Sequence, residues 1–338
     1  MDSGRGPVKR WLLLAGLMVL ALTAAASWPG PAPTGVVVED ALAPDPGSAP
    51  LDLRIWYPAG PAMAQLPLVV LSHGTGGGKM GHADTAVALA RAGFVVVAPT
   101  HTGDNYRDLG NVGRGVHLDE RPRHIARVLD YILGRWPQRA TIDPQRIGLL
   151  GHSAGGFTAL VVAGAEPDLS RGGAFCRARP EAWTCRYLRG RGYSIADLAR
   201  RPPARWLHDT RVKAAVVTAP AIGYGFDREN LAKVRIPIQL WAAEHDDVID
   251  DSPFTIRRDL PAAPEWHWVA GAGHFSFIEP CDWRMQATIA VMRWFGTEAI
   301  CSDPDPFDSG QFDRVRFHAA FNADVVRFFR QTLPPVRP

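Results

Sequence analysis

The hydrophobic positions of the chain form two kinds of segment that alternate. Short apolar or alternating runs predict strands at 51–57, 66–71, 94–98, 146–151, 212–218, 236–241 and 265–269. Apolar residues at helical spacing predict helices at about 82–92, 121–136, 284–295 and 314–333. Because buried strands alternate with helices, the pattern predicts an α/β fold with a mostly parallel, doubly wound sheet.

Two stretches depart from this alternation. Residues 27–50 are rich in Pro, Gly, Ala and Ser, and predict an extended arm that leads to a first edge strand. From about 164 to 210 the chain carries many Arg and Pro residues but no apolar run that would make a buried strand. Such a stretch between regular elements indicates a lid insertion, so residues 51–338 are predicted to form one domain with a lid.

Residues 1–26 are typical of a cleaved secretory signal. Lys9 and Arg10 precede an apolar run that ends near Ala26, where small residues provide a cleavage site. The alternative is an uncleaved membrane anchor, although the run is shorter than the ~20 residues that a membrane-spanning helix needs. We therefore expect a periplasmic or secreted protein that meets a membrane only through this segment, if at all.

The chain has four cysteines, Cys176, Cys185, Cys281 and Cys301. In an exported protein an even number favours disulfides, and four cysteines allow three pairings. Since each pair encloses a short loop, we prefer Cys176 with Cys185 and Cys281 with Cys301. No CxxC motif or clustered His accompanies them, so no zinc site is predicted.

The composition is that of a globular protein, with 46% hydrophobic and 21% charged residues. The formal net charge is only +3, from 37 basic and 34 acidic residues, and does not indicate a nucleic-acid partner. Arginines are concentrated between 186 and 205, which we interpret as a solvated loop.

The strongest chemical signal is Gly151-His-Ser-Ala-Gly155, a G-x-S-x-G motif. Its glycines allow a strained turn from strand to helix that exposes the serine hydroxyl. The pentapeptide alone is weak evidence, but a predicted strand precedes it and a helical sequence follows it, as the motif requires. Ser153 is therefore the candidate nucleophile.

A serine hydroxyl needs an imidazole to take its proton as it attacks. His274 follows the last predicted strand in the loop Gly271-Ala-Gly-His, at the edge where the carboxyl ends of parallel strands meet. His274 is the candidate base. His152 is adjacent to Ser153 but is expected to point away from it on the tight turn.

The imidazole in turn needs a carboxylate to hold it. Asp246 follows the strand that ends at Trp241 and is the preferred acid. The order Ser153, Asp246, His274 is the one found in α/β-hydrolases. Other carboxylates remain as alternatives, namely Asp247, Glu244 and Asp227.

The oxyanion of an acyl-transfer intermediate needs preorganised N–H donors. The N–H groups of Ala154, after the nucleophile, and of Thr75, after the third strand, are the candidates. The glycine-rich loop 74–78 lacks the Walker spacing of a phosphate-binding loop, although Lys79 follows it. His73 is expected to support this loop without taking part in catalysis.

These motifs resemble a known group of proteins. Val-Val-Leu-Ser-His-Gly-Thr-Gly-Gly, Ala-Gly-Phe-Val-Val-Val-Ala-Pro-Thr-His-Thr-Gly-Asp-Asn and Gly-His-Ser-Ala-Gly-Gly are similar to the dienelactone-hydrolase-like group of exported bacterial α/β-hydrolases. The likeness spans roughly residues 50–300 and implies the α/β-hydrolase fold. That group is related to platelet-activating-factor acetylhydrolases and bacterial polyesterases.

The sequence departs from its relatives at two places. Position 153 is serine where dienelactone hydrolases carry a cysteine. The acetylhydrolases place their acid one strand earlier, where this chain has Thr218-Ala-Pro-Ala and no carboxylate, so Asp246 remains the preferred acid.

Together these features predict a serine carboxylic-ester hydrolase that acts through an acyl-enzyme and needs no metal or organic cofactor. Its substrate would be a small or lipid-like ester with a short- to medium-chain acyl group. The alternatives are a phospholipid acetylhydrolase, a polyesterase, or an inactive binding protein that retains the fold.

Overall fold

The computed structural model describes residues 33–60, 65–199, 206–281 and 312–335. Three predictions lie outside these ranges: the signal segment 1–26, the helix at 284–295 and the residue Cys301.

A sheet of eight strands organises the described part of the chain. The strands are β1 (Val36–Ala43), β2 (Leu51–Pro58), β3 (Leu66–Ser72), β4 (Val95–Thr100), β5 (Ile142–His152), β6 (Val212–Thr218), β7 (Ile238–His245) and β8 (Glu265–Gly273). Their order is β1-β2-β4-β3-β5-β6-β7-β8. The pairs β1–β2 and β2–β4 are antiparallel, and every other pair is parallel. The predicted mostly parallel sheet is confirmed.

The first strand lies inside the segment predicted as an arm. Residues 36–43 pair with β2 along their whole length and form one edge of the described sheet. Only the ends of this strand, Val36 and Ala43, are buried. An edge strand with so few buried positions has a weak hydrophobic pattern, which is why composition alone suggested an arm.

Seven helices are described: α1 (Ala83–Arg91), α2 (Val116–Gly134), α3 (Ala154–Val162), α4 (Gly172–Ala178), α5 (Trp183–Gly190), α6 (Ser252–Asp259) and α7 (Arg314–Thr332). The helix expected from residue 121 thus begins earlier, at Val116. It contains Pro122 in its first turns, and a proline in such a position is easily taken for a helix start. The helices predicted at 82–92 and 314–333 agree with the structure to within one residue at each end.

The helices cover both faces of the sheet, and β3 shows how. Leu68 and Val70 belong to one hydrophobic core, which also contains residues of α2 and α3. Val69 and Leu71 belong to a second core, with residues of α1 and α7. Because successive side chains of a strand point to opposite faces, a strand that is covered on both faces reads as one continuous apolar run.

The predicted lid region contains α4, α5 and short 3₁₀ turns instead of strands. The predicted disulfide between Cys176 and Cys185 is present and joins α4 to α5. Cys281 is disulfide-bonded as well, and its predicted partner is the residue outside the described ranges. Of the helices in the described part of the chain, none combines the length and the apolar character needed to span a bilayer.

Candidate active site

Ser153 lies at the sharp turn between β5 and α3. Its backbone has φ 55° and ψ −117°, a conformation that is rare for any residue except glycine. A Cβ atom on Gly155 would overlap the carbonyl oxygen of Ser72, and one on Gly151 would overlap that of Gly155. The two glycines are therefore what allows the turn to pack against β3, as the strand–turn–helix motif requires.

His274 and Asp246 meet at the carboxyl edge of the sheet. His274 begins the 3₁₀ turn after β8, and its Nδ1 lies 2.8 Å from Asp246 Oδ2. Both side chains are less than 5% exposed. The other carboxylate oxygen, Oδ1, accepts hydrogen bonds from the N–H groups of Val248 and Ile249. The carboxylate is thus held by its own loop and is oriented toward the imidazole.

The three alternative carboxylates lie elsewhere. Asp247 is exposed. Glu244 accepts a hydrogen bond from the N–H of Gly271, and Asp227 pairs with Arg171. The structure therefore brings Asp246, and none of its rivals, into hydrogen-bond contact with His274.

His152, which was expected to point away from Ser153, belongs to the site. Its ring lies 4.8 Å from the ring of His274, and both rings line the same cavity. The unusual backbone conformation begins only at Ser153, so His152 retains strand geometry and packs against the turn that carries His274. Its Nδ1 lies 3.2 Å from Thr218 Oγ1. Burial and the neighbouring His274 and His82 lower the pKa of His152 well below its usual value.

Ser153 and His274 border one cavity of about 360 Å³. In the described residues no hydrogen bond joins Ser153 Oγ to the His274 ring. Hydrogen bonds between catalytic groups are often long in the absence of substrate and shorten in the reacting complex.

Both candidate oxyanion residues line this cavity beside Ser153. Ala154 is the first residue of α3, so its N–H has no acceptor within the helix and lies at the positive end of the helix dipole. Thr75 follows Gly74, and a Cβ atom on Gly74 would lie 3.2 Å from the Cβ of Ser153. Two backbone segments that can supply N–H donors therefore flank the serine.

The walls of the cavity are mainly apolar and come from both the sheet edge and the predicted lid region. Trp183 and Tyr187 of α5 stack with ring centroids 4.5 Å apart. The other apolar lining residues are Leu109, Val112, Leu118, Ala154, Leu188, Leu198, Ala221, Ile222, Val248, Ile249, Phe275 and Ile278. A site of this size and lining suits a small, mostly apolar ligand.

Two further histidines line the cavity. Burial lowers the pKa of His82 and of His117 to about 4. Both side chains are therefore neutral at pH 7. They place no positive charge on the cavity wall.

Sequence reasoning missed a buried polar network behind the Thr75 loop. Arg121 and Asp104 form an ion pair there, and each side chain is only 1% exposed. Burial is the largest influence on the pKa of Asp104 and would raise it, but Arg121, His117, His73 and the N–H of Gly76 together lower that pKa. Arg121 lies on the same helical face as the apolar residues Leu118 and Ile125. A charged residue within an apolar face is the feature of the sequence that could have predicted this buried ion pair. His73 supports the loop as expected, with its Nδ1 2.7 Å from Gly74 O.

Among the described residues, no group of three or more His, Cys, Asp or Glu side chains could hold a metal ion.

A comparison with family models matches residues 69–287 to the alpha/beta hydrolase family. A curated protein, the bis(hydroxyethyl) terephthalate hydrolase of Streptomyces coelicolor, is 33% identical over 115 residues. That match covers 34% of this chain and 34% of the relative, so the chain spans about a third of the relative's length.

One solved structure has the same fold. The ferulic acid esterase from Streptomyces cinnamoneus has a TM-score of 0.51 at 18% identity, covering 91% of this chain and 93% of that one. The dienelactone hydrolase from Anabaena variabilis has a TM-score of 0.47 at 16% identity, covering 78% and 98%.

The family match covers well over half of the chain and contains Ser153, Asp246 and His274. The strand order and the strand–turn–helix geometry at the serine are consistent with this match. This chain belongs to the alpha/beta hydrolase family.

Proposed function

We propose that the chain is a serine carboxylic-ester hydrolase that works through an acyl-enzyme. The observation that carries this proposal is the buried contact between His274 and Asp246, at the wall of the cavity that Ser153 also lines. A strained serine, a neighbouring imidazole and a carboxylate that orients it are the parts from which acyl-transfer sites are built.

The reaction has two halves. In the first, Ser153 Oγ forms a bond to the ester carbonyl carbon while its proton passes to His274 Nε2. The tetrahedral oxyanion accepts hydrogen bonds from the N–H groups of Thr75 and Ala154. The bond to the alkoxy group then breaks, and the departing alcohol takes the proton from His274.

In the second half, water attacks the acyl-enzyme and gives its proton to His274. The bond to Ser153 breaks, the proton returns to the serine and the carboxylic acid is released. Asp246 keeps the Nδ1 proton of His274 in place and stabilises the imidazolium in both halves.

The size and lining of the cavity favour esters with short- to medium-chain acyl groups as substrates. Its volume of about 360 Å³ is at the lower end of ligand sites, and its walls are apolar. With p-nitrophenyl esters we expect activity to decline for acyl chains longer than about eight carbons, because such chains exceed a site of this size. Activity that rises steadily with longer chains would contradict this part of the proposal.

Small aromatic esters are a second candidate substrate class. The stacked rings of Trp183 and Tyr187, together with Phe275, provide aromatic surface on the cavity wall. The partial sequence match to a bis(hydroxyethyl) terephthalate hydrolase supports including such esters in the assay.

Labelling with a fluorophosphonate probe, followed by an ester panel, tests the function. Wild type should be labelled at Ser153 and should hydrolyse at least one ester, and Ser153→Ala should lose both properties. Ser170→Ala, an exposed serine in the lid, is the matched control and should retain both. Absence of labelling in the folded protein would favour an inactive binding protein.

We further propose that the protein is periplasmic or secreted. The proposal rests on the signal-like residues 1–26 and on the disulfide between Cys176 and Cys185. Mass spectrometry of the protein from its native host should find a mature N-terminus near Ser27. An intact N-terminus in the membrane fraction would instead indicate an anchor.

A further inference from the structure

A buried ion pair lies directly behind the loop that carries Thr75. The Nε of Arg121 donates to Asp104 Oδ2 at 2.8 Å. Burying two charges is costly, and such a pair adds little net stability compared with apolar residues of similar size. Its contacts with the loop backbone indicate a role other than stability.

Both partners of the ion pair hold the loop backbone. Arg121 Nη1 donates to His73 O at 2.7 Å, and Nη2 donates to Gly74 O at 3.1 Å. Asp104 Oδ1 accepts the N–H of Gly76 at 3.0 Å. The loop is thus held on both sides of Thr75 by one rigid pair.

These contacts determine the direction of the Thr75 N–H. The carbonyl of Gly74 and the N–H of Thr75 belong to one planar trans peptide, so they point in opposite directions. The carbonyl points inward, toward Arg121 and the His73 ring. The N–H must therefore point the other way, toward the cavity that Thr75 and Ser153 both line.

We infer that Arg121, held by Asp104, is a positioning residue for the oxyanion hole. It fixes the peptide between Gly74 and Thr75 so that the Thr75 N–H is directed at the reacting carbonyl oxygen. The guanidinium charge also polarises this peptide through its carbonyl, which strengthens the N–H as a donor. The inference rests on the proposed esterase function.

The test compares an ester with its thionoester, in which sulfur replaces the carbonyl oxygen. Sulfur is a weak hydrogen-bond acceptor, so the thionoester gains little from oxyanion donors. We expect Arg121→Met to lower kcat for the ester by about 10²–10³-fold, as loss of one donor does, with KM changed by less than about threefold. The ratio of ester to thionoester rates should fall by at least about tenfold in the same variant.

If Arg121→Met folds poorly, the same rate ratio can be measured in two conservative variants. Arg121→Lys preserves the charge beside Asp104 but replaces the planar fork that donates to both carbonyls by a single ammonium nitrogen. Asp104→Asn preserves the shape of the carboxylate. Both should show intermediate falls in the rate ratio, which does not depend on the fraction of active enzyme. Arg123→Met, on the exposed face of the same helix, is the matched control and should leave the ratio unchanged.

Two outcomes separate the inference from the function on which it rests. An unchanged rate ratio in all three variants, with ester hydrolysis still dependent on Ser153, would overturn the positioning role and leave the esterase intact. If Ser153→Ala hydrolyses the ester as fast as wild type, the proposed function fails, and the inference fails with it.

Discussion

The imidazole of His274 and the carboxylate of Asp246 are in contact, with Nδ1 2.8 Å from Oδ2, although 28 residues separate them in the sequence. Each residue belongs to the loop that follows one of two neighbouring parallel strands, β7 and β8. Carboxyl ends of parallel strands share one edge of the sheet, so loops that are distant in sequence meet there.

Replacement of Asp246 should impair chemistry and leave the fold intact. Asp246→Asn keeps the shape of the side chain but no longer holds the imidazole in its productive tautomer, so kcat should fall by about 10³–10⁴-fold. Asp247→Asn, at the exposed neighbouring position, should stay within about twofold of wild type, as is usual for a surface change. Similar losses in both variants, measured by steady-state kinetics, would show that the acid is misassigned.

The turn at Ser153 should not tolerate a methyl group at position 155. Gly155→Ala would force a Cβ into the backbone of β3, and we expect either loss of soluble protein or a kcat at least about 10²-fold lower, because small displacements at a reacting centre cost that much. Gly173→Ala is the control, since its Cβ would meet only an arginine side chain at 3.5 Å. A fully active Gly155→Ala enzyme would contradict the tight packing of this turn.

Mild acid should destabilise the protein. Burial lowers the pKa of His82, His117 and His124 to about 4, and that of His73 to about 3. The ordinary value is 6.5, so between about pH 6.5 and 4 the unfolded chain binds protons that the folded chain does not. Stability should therefore be highest above pH 6.5 and should decrease as the pH falls through this window.

Urea unfolding midpoints between pH 7.5 and 4.5 would measure this dependence. His82→Gln removes one such histidine. Within this pH window it should reduce the slope of the unfolding free energy against pH by about 1.4 kcal/mol per pH unit. A flat profile for wild type, or an unchanged slope for the variant, would show that these histidines do not govern acid stability.

The disulfide of the lid should affect substrate binding more than chemistry. The double variant Cys176→Ser/Cys185→Ser frees α4 from α5, the helix that carries Trp183 and Tyr187 to the cavity wall. Loss of this short covalent loop should lower stability by roughly 2–3 kcal/mol. We expect KM to rise several-fold while kcat changes by less than about threefold, since the residues of α5 that line the cavity would contact the substrate away from the reacting atoms.

Dithiothreitol provides the internal check on this interpretation. It should shift wild type toward the kinetics of the double variant. Any further change in the double variant itself would measure the contribution of the second disulfide, at Cys281. A large decrease in kcat with constant KM would instead indicate that the position of α4 and α5 affects the chemical step.

The sequence predicted most of the sheet because the strand signals are local. The run 66–71 is apolar throughout, as expected for a strand covered on both faces, and β3 is such a strand. The signal failed for β1, an edge strand that buries only its two ends. It also placed the start of α2 too late, because Pro122 within the helix resembles a helix start.

The sequence by itself determined the turn at Ser153, which depends on nearby glycines, and the chain order of Asp246 and His274. Only the tertiary structure decided that Asp246, and not Asp247, contacts the imidazole, that His152 packs beside His274, and that Arg121 finds a buried partner. Turn geometry depends on neighbouring residues and can be read locally. Which loops meet at a sheet edge, and which charges are compensated in the interior, depend on strand order and on packing between residues distant in sequence.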